Sequence, residues 1–176
     1  MPITAQYQTY YGIHLNHWTE TWAGTNYNKI LVKDAPDIEC VSTATTACTS
    51  SCTFILPELV KSKYYLDGVA SGHFHLYSTA TSTVTSVIVT IETINNAGTT
   101  ADIGTYSATL GYSIVTNDVV CLPFYINISK AEVTENMKIA LVLSVTAGAT
   151  VFFYHDVEPT DGDMDVELVL PYAPTS

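Results

Sequence analysis

The run Val119-Val-Cys-Leu-Pro-Phe-Tyr-Ile-Asn-Ile-Ser-Lys130, followed by Ile139-Ala-Leu-Val-Leu-Ser-Val-Thr146, decides the fold class. Val120, Leu122, Phe124, Ile126 and Ile128 alternate with Cys121, Pro123, Tyr125 and Asn127. After a polar break from Ser129 to Lys138, Ile139, Leu141, Leu143 and Val145 alternate with Ala140, Val142, Ser144 and Thr146. Successive strand side chains point to opposite faces, so this spacing predicts a pair of strands joined by a turn, each with one face buried. The outward residues carry no charge and are partly apolar. Such a face suits a covering better than bare water, whether the covering is the N-terminal stretch, loops of a second sheet or another subunit.

Further strands follow outward from this block. Lys29–Lys33 is a short one, ended by Asp34-Ala-Pro-Asp37, and Ile38–Thr46 is a second. Cys52–Leu59 follows, with Pro57 at a terminal position, and then a loop punctuated by Gly68 and Gly72. His73–Ser78 and Val84–Ile94 resume the alternation. Asn95-Asn-Ala-Gly98 is a turn leading to strand material over Ile103–Val115. Thr150–His155 and Met164–Leu170 complete the set, and the break after Ser129 has room for one helical turn at Ala131–Lys138. Many short strands without crossover helices predict an all-β, antiparallel β-sandwich of jelly-roll kind. The expected organisation is an extended aromatic-rich N-terminal arm over 1–27 and one sandwich domain over 28–176.

The charge balance narrows the function classes. The net charge is −11, from 17 acidic residues against six basic ones, all lysines. Nucleic-acid binders replace phosphate counterions with cationic side chains, so neither DNA nor RNA is an expected partner. An anionic membrane surface is disfavoured for the same reason. Met1 to Gly12 shows neither a basic n-region nor an apolar h-region, which predicts synthesis in the cytoplasm without a signal peptide.

The first 27 residues hold Tyr7, Tyr10, Tyr11, Trp18, Trp22 and Tyr27, together with His14 and His17. Tyr and Trp dominate interface hot spots, so these six rings are candidate contacts to a neighbouring subunit. They serve equally as a cap on the core or as a stacking platform for sugars.

Candidate chemistry is sparse. Cys40, Cys48, Cys52 and Cys121 permit several disulfide pairings and lack the two short-spaced pairs of a typical zinc site. His73 and His75, with His155, are a weak zinc alternative. Asp161-Gly-Asp-Met-Asp165 places Asp161, Asp163 and Asp165 as candidate calcium ligands, although an outward acidic strand face explains the same residues. No nucleophile elbow or phosphate loop is present, so an enzyme is not expected.

The pattern from Phe54-Ile-Leu-Pro-Glu-Leu59 through Val87–Ile94 to the Val120–Val145 block, behind an aromatic N-terminal stretch, resembles jelly-roll virion structural proteins. These are the capsid-decorating (cement) and minor capsid proteins of tailed phages and archaeal viruses. The resemblance implies a non-enzymatic homo-oligomer, often a trimer, that binds a capsid or tail lattice through other structural proteins, with no required cofactor. The alternatives are a carbohydrate-binding or adhesive sandwich module and a subunit of an extracellular filament or surface layer.

Overall fold

The computed structural model describes residues 6–14, 19–33, 48–148, 151–154 and 166–174, apart from the side chains of His14, Cys48, Thr49, Tyr112 and Tyr154. The described residues are all β, with no helix. In chain order the strands are β1 (Gln6–His14), β2 (Glu20–Trp22), β3 (Thr25–Tyr27), β4 (Lys29–Val32), β5 (Cys48–Thr49), β6 (Ser51–Ile55) and β7 (Tyr64–Ser78). There follow β8 (Ser82–Asn95), β9 (Thr100–Ile114), β10 (Val119–Val133), β11 (Met137–Ala147), β12 (Val151–Tyr154) and β13 (Val166–Tyr172).

Eleven of these strands form one continuous sheet in the order β5-β12-β7-β13-β1-β4-β6-β11-β8-β9, with β10 on the other edge of β7. All its pairings are antiparallel except β4 with β6. The sheet folds back on itself, so that β10-β7-β13-β1 lies opposite β6-β11-β8-β9. Phe54, Phe74, Phe124, Ile126, Val89, Ile91, Leu141, Leu143, Leu168 and Leu170 are buried in one cluster between the two halves. Its far ends also meet: the Tyr106 ring on β9 lies 5.7 Å from the Tyr125 ring on β10. This is a β-sandwich, as the alternation predicts.

The expected hairpin is where the structure differs. β10 pairs with β7, from Val119↔Tyr77 to Val133↔Tyr64. β11 pairs with β8 on one side and β6 on the other. The turn at 134–136 therefore carries the chain from one layer to the other. Phe124, Ile126 and Ile128 bury in the same core as Ile139, Leu141 and Leu143, meeting them across the sandwich rather than along a shared edge. Alternation fixes which face is buried; it does not say which strand supplies the ladder. No helical turn forms at 131–138, since β10 continues to Val133 and β11 begins at Met137.

Residues 64–72, expected as a loop because of Gly68 and Gly72, are the first half of the 15-residue β7. The glycines make room instead of breaking the strand. A Cβ on Gly72 would collide with the Glu167 carbonyl oxygen of β13 and lie 2.7 Å from Phe124. At Asn95–Gly98 the expected turn is present. The Asn95 Oδ1 accepts from the amides of Ala97 at 3.0 Å and Thr99 at 2.9 Å, and Gly98 has φ +84°.

Much of the expected N-terminal arm folds onto its own domain. β1 is an internal strand, paired with β13 from Gln6↔Tyr172 to Gly12↔Val166 and with β4 from Tyr11↔Val32 to His14↔Lys29. The β2-β3 hairpin covers the outer end of β6, β11 and β8, where Trp22 and Tyr27 pack on Ile55, Ile94 and Ala140. The indole Nε1 of Trp22 donates to the Ile94 carbonyl at 2.9 Å. Lys138, only 5% exposed, clamps the hairpin: its Nζ pairs with Glu20, donates to the Pro57 carbonyl at 2.8 Å and sits 4.9 Å from the Trp22 ring centroid.

Candidate functional sites: an aromatic sheet face and a tyrosine-floored cleft

The outer face of β10-β7-β13-β1 can be read row by row, because directly opposed residues of an antiparallel pair share a face. One row is Tyr125, Ser71, Val169 and Thr9, and the next is Pro123, His73, Glu167 and Tyr11. Val69 stands opposite Asn127, and Tyr7 stands opposite Pro171. Tyr7 and Tyr125 are each 60% exposed and Val69 is 45% exposed. Glu167 is the lone carboxylate in these rows. The strands span about 14 Å between β10 and β1, at roughly 4.8 Å per strand spacing. Pro123 has no amide to donate, which suits an outermost position on β10.

The second site is a cleft of about 690 Å³ at one end of the sandwich, between the start of β1 and the connector after β6. That connector is anchored to the start of β11 and the turn before it: the Leu56 amide donates to Ile139 O at 2.8 Å, the Val60 amide to Met137 O at 3.2 Å, and Val60 O accepts from Asn136. Leu56, Leu59 and Val60 form an apolar wall, and Gln6, Gln8 and Ser62 add polar groups. At the rim the Lys33 Nζ lies 3.3 Å from a Glu58 carboxylate oxygen. Tyr10, Tyr64 and Tyr172 make the floor.

The floor is a linked set of phenols. The Tyr10 and Tyr172 hydroxyls are 2.6 Å apart, and the Tyr64 and Tyr172 rings are 5.3 Å apart. Burial is the main reason that all three phenols are held above the usual tyrosine range, and the Glu58 carboxylate adds to it. They remain neutral hydroxyls, able both to donate and to accept.

The residues singled out in the sequence fall in different places. Tyr7 and Tyr11 lie on the aromatic face, whereas Tyr10, one position away, points inward and is only 2% exposed. Trp22 and Tyr27 are spent inside the chain under the hairpin, and Trp18 lies outside the described residues. Asp161, Asp163 and Asp165 lie outside them too, as do Cys40 and His155. Cys52 is buried and disulfide-bonded, so it is not a zinc ligand; its partner lies outside the described side chains. Cys121 is exposed on β10 as a thiol. The His73 and His75 rings meet edge to face at 5.6 Å, and among the described residues no cluster of three or more His, Cys, Asp or Glu is arranged to hold a metal. No helix among the described residues is long and apolar enough to cross a membrane.

Tyr64 and Tyr172 carry no special sequence signal. They stand at the ends of β7 and β13, and Tyr172 is 162 residues from its partner Tyr10. Only the pairing of β1 with β13 and of β13 with β7 assembles the floor.

No family model and no curated protein matches the sequence. Among solved structures, an aminopeptidase from a marine sediment archaeon, Thaumarchaeota archaeon, is similar over 96% of this chain, at 7% identity and a TM-score of 0.64. A CocE/NonD family hydrolase from Staphylococcus aureus is similar over 96%, at 10% identity and a TM-score of 0.61. An alpha-amino acid ester hydrolase is similar over 70%, at 10% identity and a TM-score of 0.55. The matches extend over 37%, 37% and 26% of those chains, respectively. At such identities the likeness is one of fold.

Proposed function

We propose that this chain is a non-enzymatic assembly module, of the kind that decorates a virion capsid or tail, and that it meets further copies of itself through the β10-β7-β13-β1 face. The observation that carries the assembly reading is the pair Tyr7 and Tyr125, each 60% exposed beside rows in which Glu167 is the lone carboxylate. A chain of net charge −11 repels its own copies, so they can associate only where charge is sparse. Tyr is also among the residue types enriched in interface hot spots. The virion part of the reading rests on the resemblance of the strand pattern to decoration and minor capsid proteins.

A second reading has its own support. The solved structures of similar fold are hydrolases more than twice as long in the matched chains, of which this chain covers about a third. The same sandwich would then be a non-catalytic module that accompanies a hydrolase.

Light scattering after size exclusion separates the two. Assembly predicts an oligomer that falls to monomer when Tyr7→Asp and Tyr125→Asp are combined and that persists with Ile88→Asp on the opposite face. A wild-type chain that is monomeric at its highest soluble concentration would sink the assembly reading.

A further inference from the structure

The cleft at the end of the sandwich has no part in the proposed assembly contact except through Tyr7 at its edge. Its size, about 690 Å³, lies in the range of small-molecule sites, roughly 300–1,000 Å³. Its lining combines an aliphatic wall with several polar groups that both donate and accept. The three floor phenols have three protons. The Tyr10–Tyr172 bond uses one of them, so O–H groups remain for a group inside the cleft. Gln6 and Gln8 add amides, and the Lys33–Glu58 pair offers donors beside acceptors within 3.3 Å. Tyr7, largely exposed, supplies a ring at the mouth.

The charge pattern selects among ligands. Lys33 is paired with Glu58, which leaves Lys61 as the one further charge of the lining; it is exposed to screening water in a chain of net charge −11, so it adds little for an anion. A metal ion is poorly served by phenols, amides and one carboxylate that faces a lysine. A molecule dense in neutral hydroxyls, with apolar C–H faces to lie on aliphatic and aromatic side chains, matches both halves of the lining. We propose that the cleft walled by Leu56–Ser62 and floored by Tyr10, Tyr64 and Tyr172 binds a neutral saccharide of two or three units.

The test is calorimetric titration of the full chain with maltotriose and cellotriose, and with trigalacturonate as the charged counterpart. At least one neutral trimer is expected to bind, and trigalacturonate is expected to bind more weakly at low salt. Tyr64→Phe keeps the ring and removes the hydroxyl; its affinity is expected to fall about tenfold, the size of one hydrogen bond lost in a buried site. Its melting temperature, read in parallel, shows whether the fold is intact. Ser62→Trp, at the exposed wall, is expected to block binding without touching the floor. Absence of binding by both neutral trimers, trigalacturonate binding as tightly as they do, or affinity unmoved by both variants would each overturn the assignment. Oligomeric state is measured separately, so failure here leaves the assembly reading standing, and the reverse.

Discussion

The two outer faces of the sandwich are alike in having little charge along their central rows and differ in what takes its place. On β10-β7-β13-β1 the outward residues include five large ones, Tyr125, Pro123, His73, Tyr11 and Tyr7, among smaller neighbours such as Ser71 and Thr9. On β6-β11-β8-β9 most of them are small and hydroxylated, Val142 and Ile88 excepted. Thr53, Val142, Thr90 and Thr105 form one row, and Ser51, Ser144, Ile88 and Ser107 form the next. The second face is also partly closed by its own chain, because the β2-β3 hairpin lies over Ile55, Ile94 and Ala140. Short hydroxyl side chains satisfy themselves with water and offer little area to a partner. Aromatic side chains offer large area at low entropic cost, and Ser and Thr are under-represented among hot spots. Neutrality alone therefore does not make a docking surface. The aromatic face is suited to one, and the hydroxyl face is suited to solvent.

The strand backbones beneath the two faces also differ, and substitutions can sharpen the contrast. Under the aromatic face β7 and β13 approach closely at Gly72. Gly72→Ala puts a methyl group against the Glu167 carbonyl, which cannot move without breaking the ladder, and is expected to cost about 3 kcal/mol in chemical denaturation. By contrast, Thr105→Asp, exposed on the edge strand of the hydroxyl face, is expected to change stability by less than about 0.5 kcal/mol. Equal losses for these two variants would remove the distinction.

The next largest effect belongs to the hairpin. Lys138→Ala leaves Glu20, whose side chain is 20% exposed, without its cation and uncouples the hairpin from the Pro57 carbonyl. Breaking a fully buried pair costs roughly 3–5 kcal/mol; with Glu20 partly in water, about 2 kcal/mol is expected. Hydrogen exchange should rise in β2 and β3 while β7 and β10 stay protected. Uniform loss of protection would show that the hairpin is not a separate layer.

A smaller effect than the hairpin's concerns the acidic end of the hydroxyl face, where Glu92 on β8 stands directly opposite Asp102 on β9. Burial first, and then Asp102, raise the Glu92 carboxyl above the usual range. A carboxyl raised on folding is better tolerated protonated. Its penalty is absent below the unfolded pKa and grows as pH rises through the folded one. Glu92→Gln is expected to stabilise by about 0.5 kcal/mol at neutral pH and by nothing in strong acid. A gain that persists unchanged at low pH would point to packing and not charge.

How much of this was legible in the chain varies with the residue. The buried face of β10 and of β11 follows from period-two alternation, since Phe124, Ile126, Ile139 and Leu141 are all inward. The partner of each strand does not follow, because alternation is the same whether two strands meet edge to edge or face to face. Residues 64–72 looked like a loop because glycine usually weakens strands; here glycine is what lets β7 and β13 approach. Tyr7, Tyr10 and Tyr11 look equivalent as a cluster, yet β1 sends Tyr10 into the core and leaves Tyr7 outside. The cleft had no sequence signal, because its floor comes from three strands and its wall from a connector.

The sequence by itself determined an all-β chain, the inward side of its main strands and an acidic balance of net charge −11. These depend on local periodicity and on sums over the chain, which need no knowledge of neighbours. Only the tertiary structure decided that β10 and β11 lie in opposite layers, that the N-terminal segment supplies an internal strand and a docked hairpin, and that tyrosines from distant positions share one floor. Those depend on which strand lies beside which, a long-range choice that hydrophobic alternation leaves open.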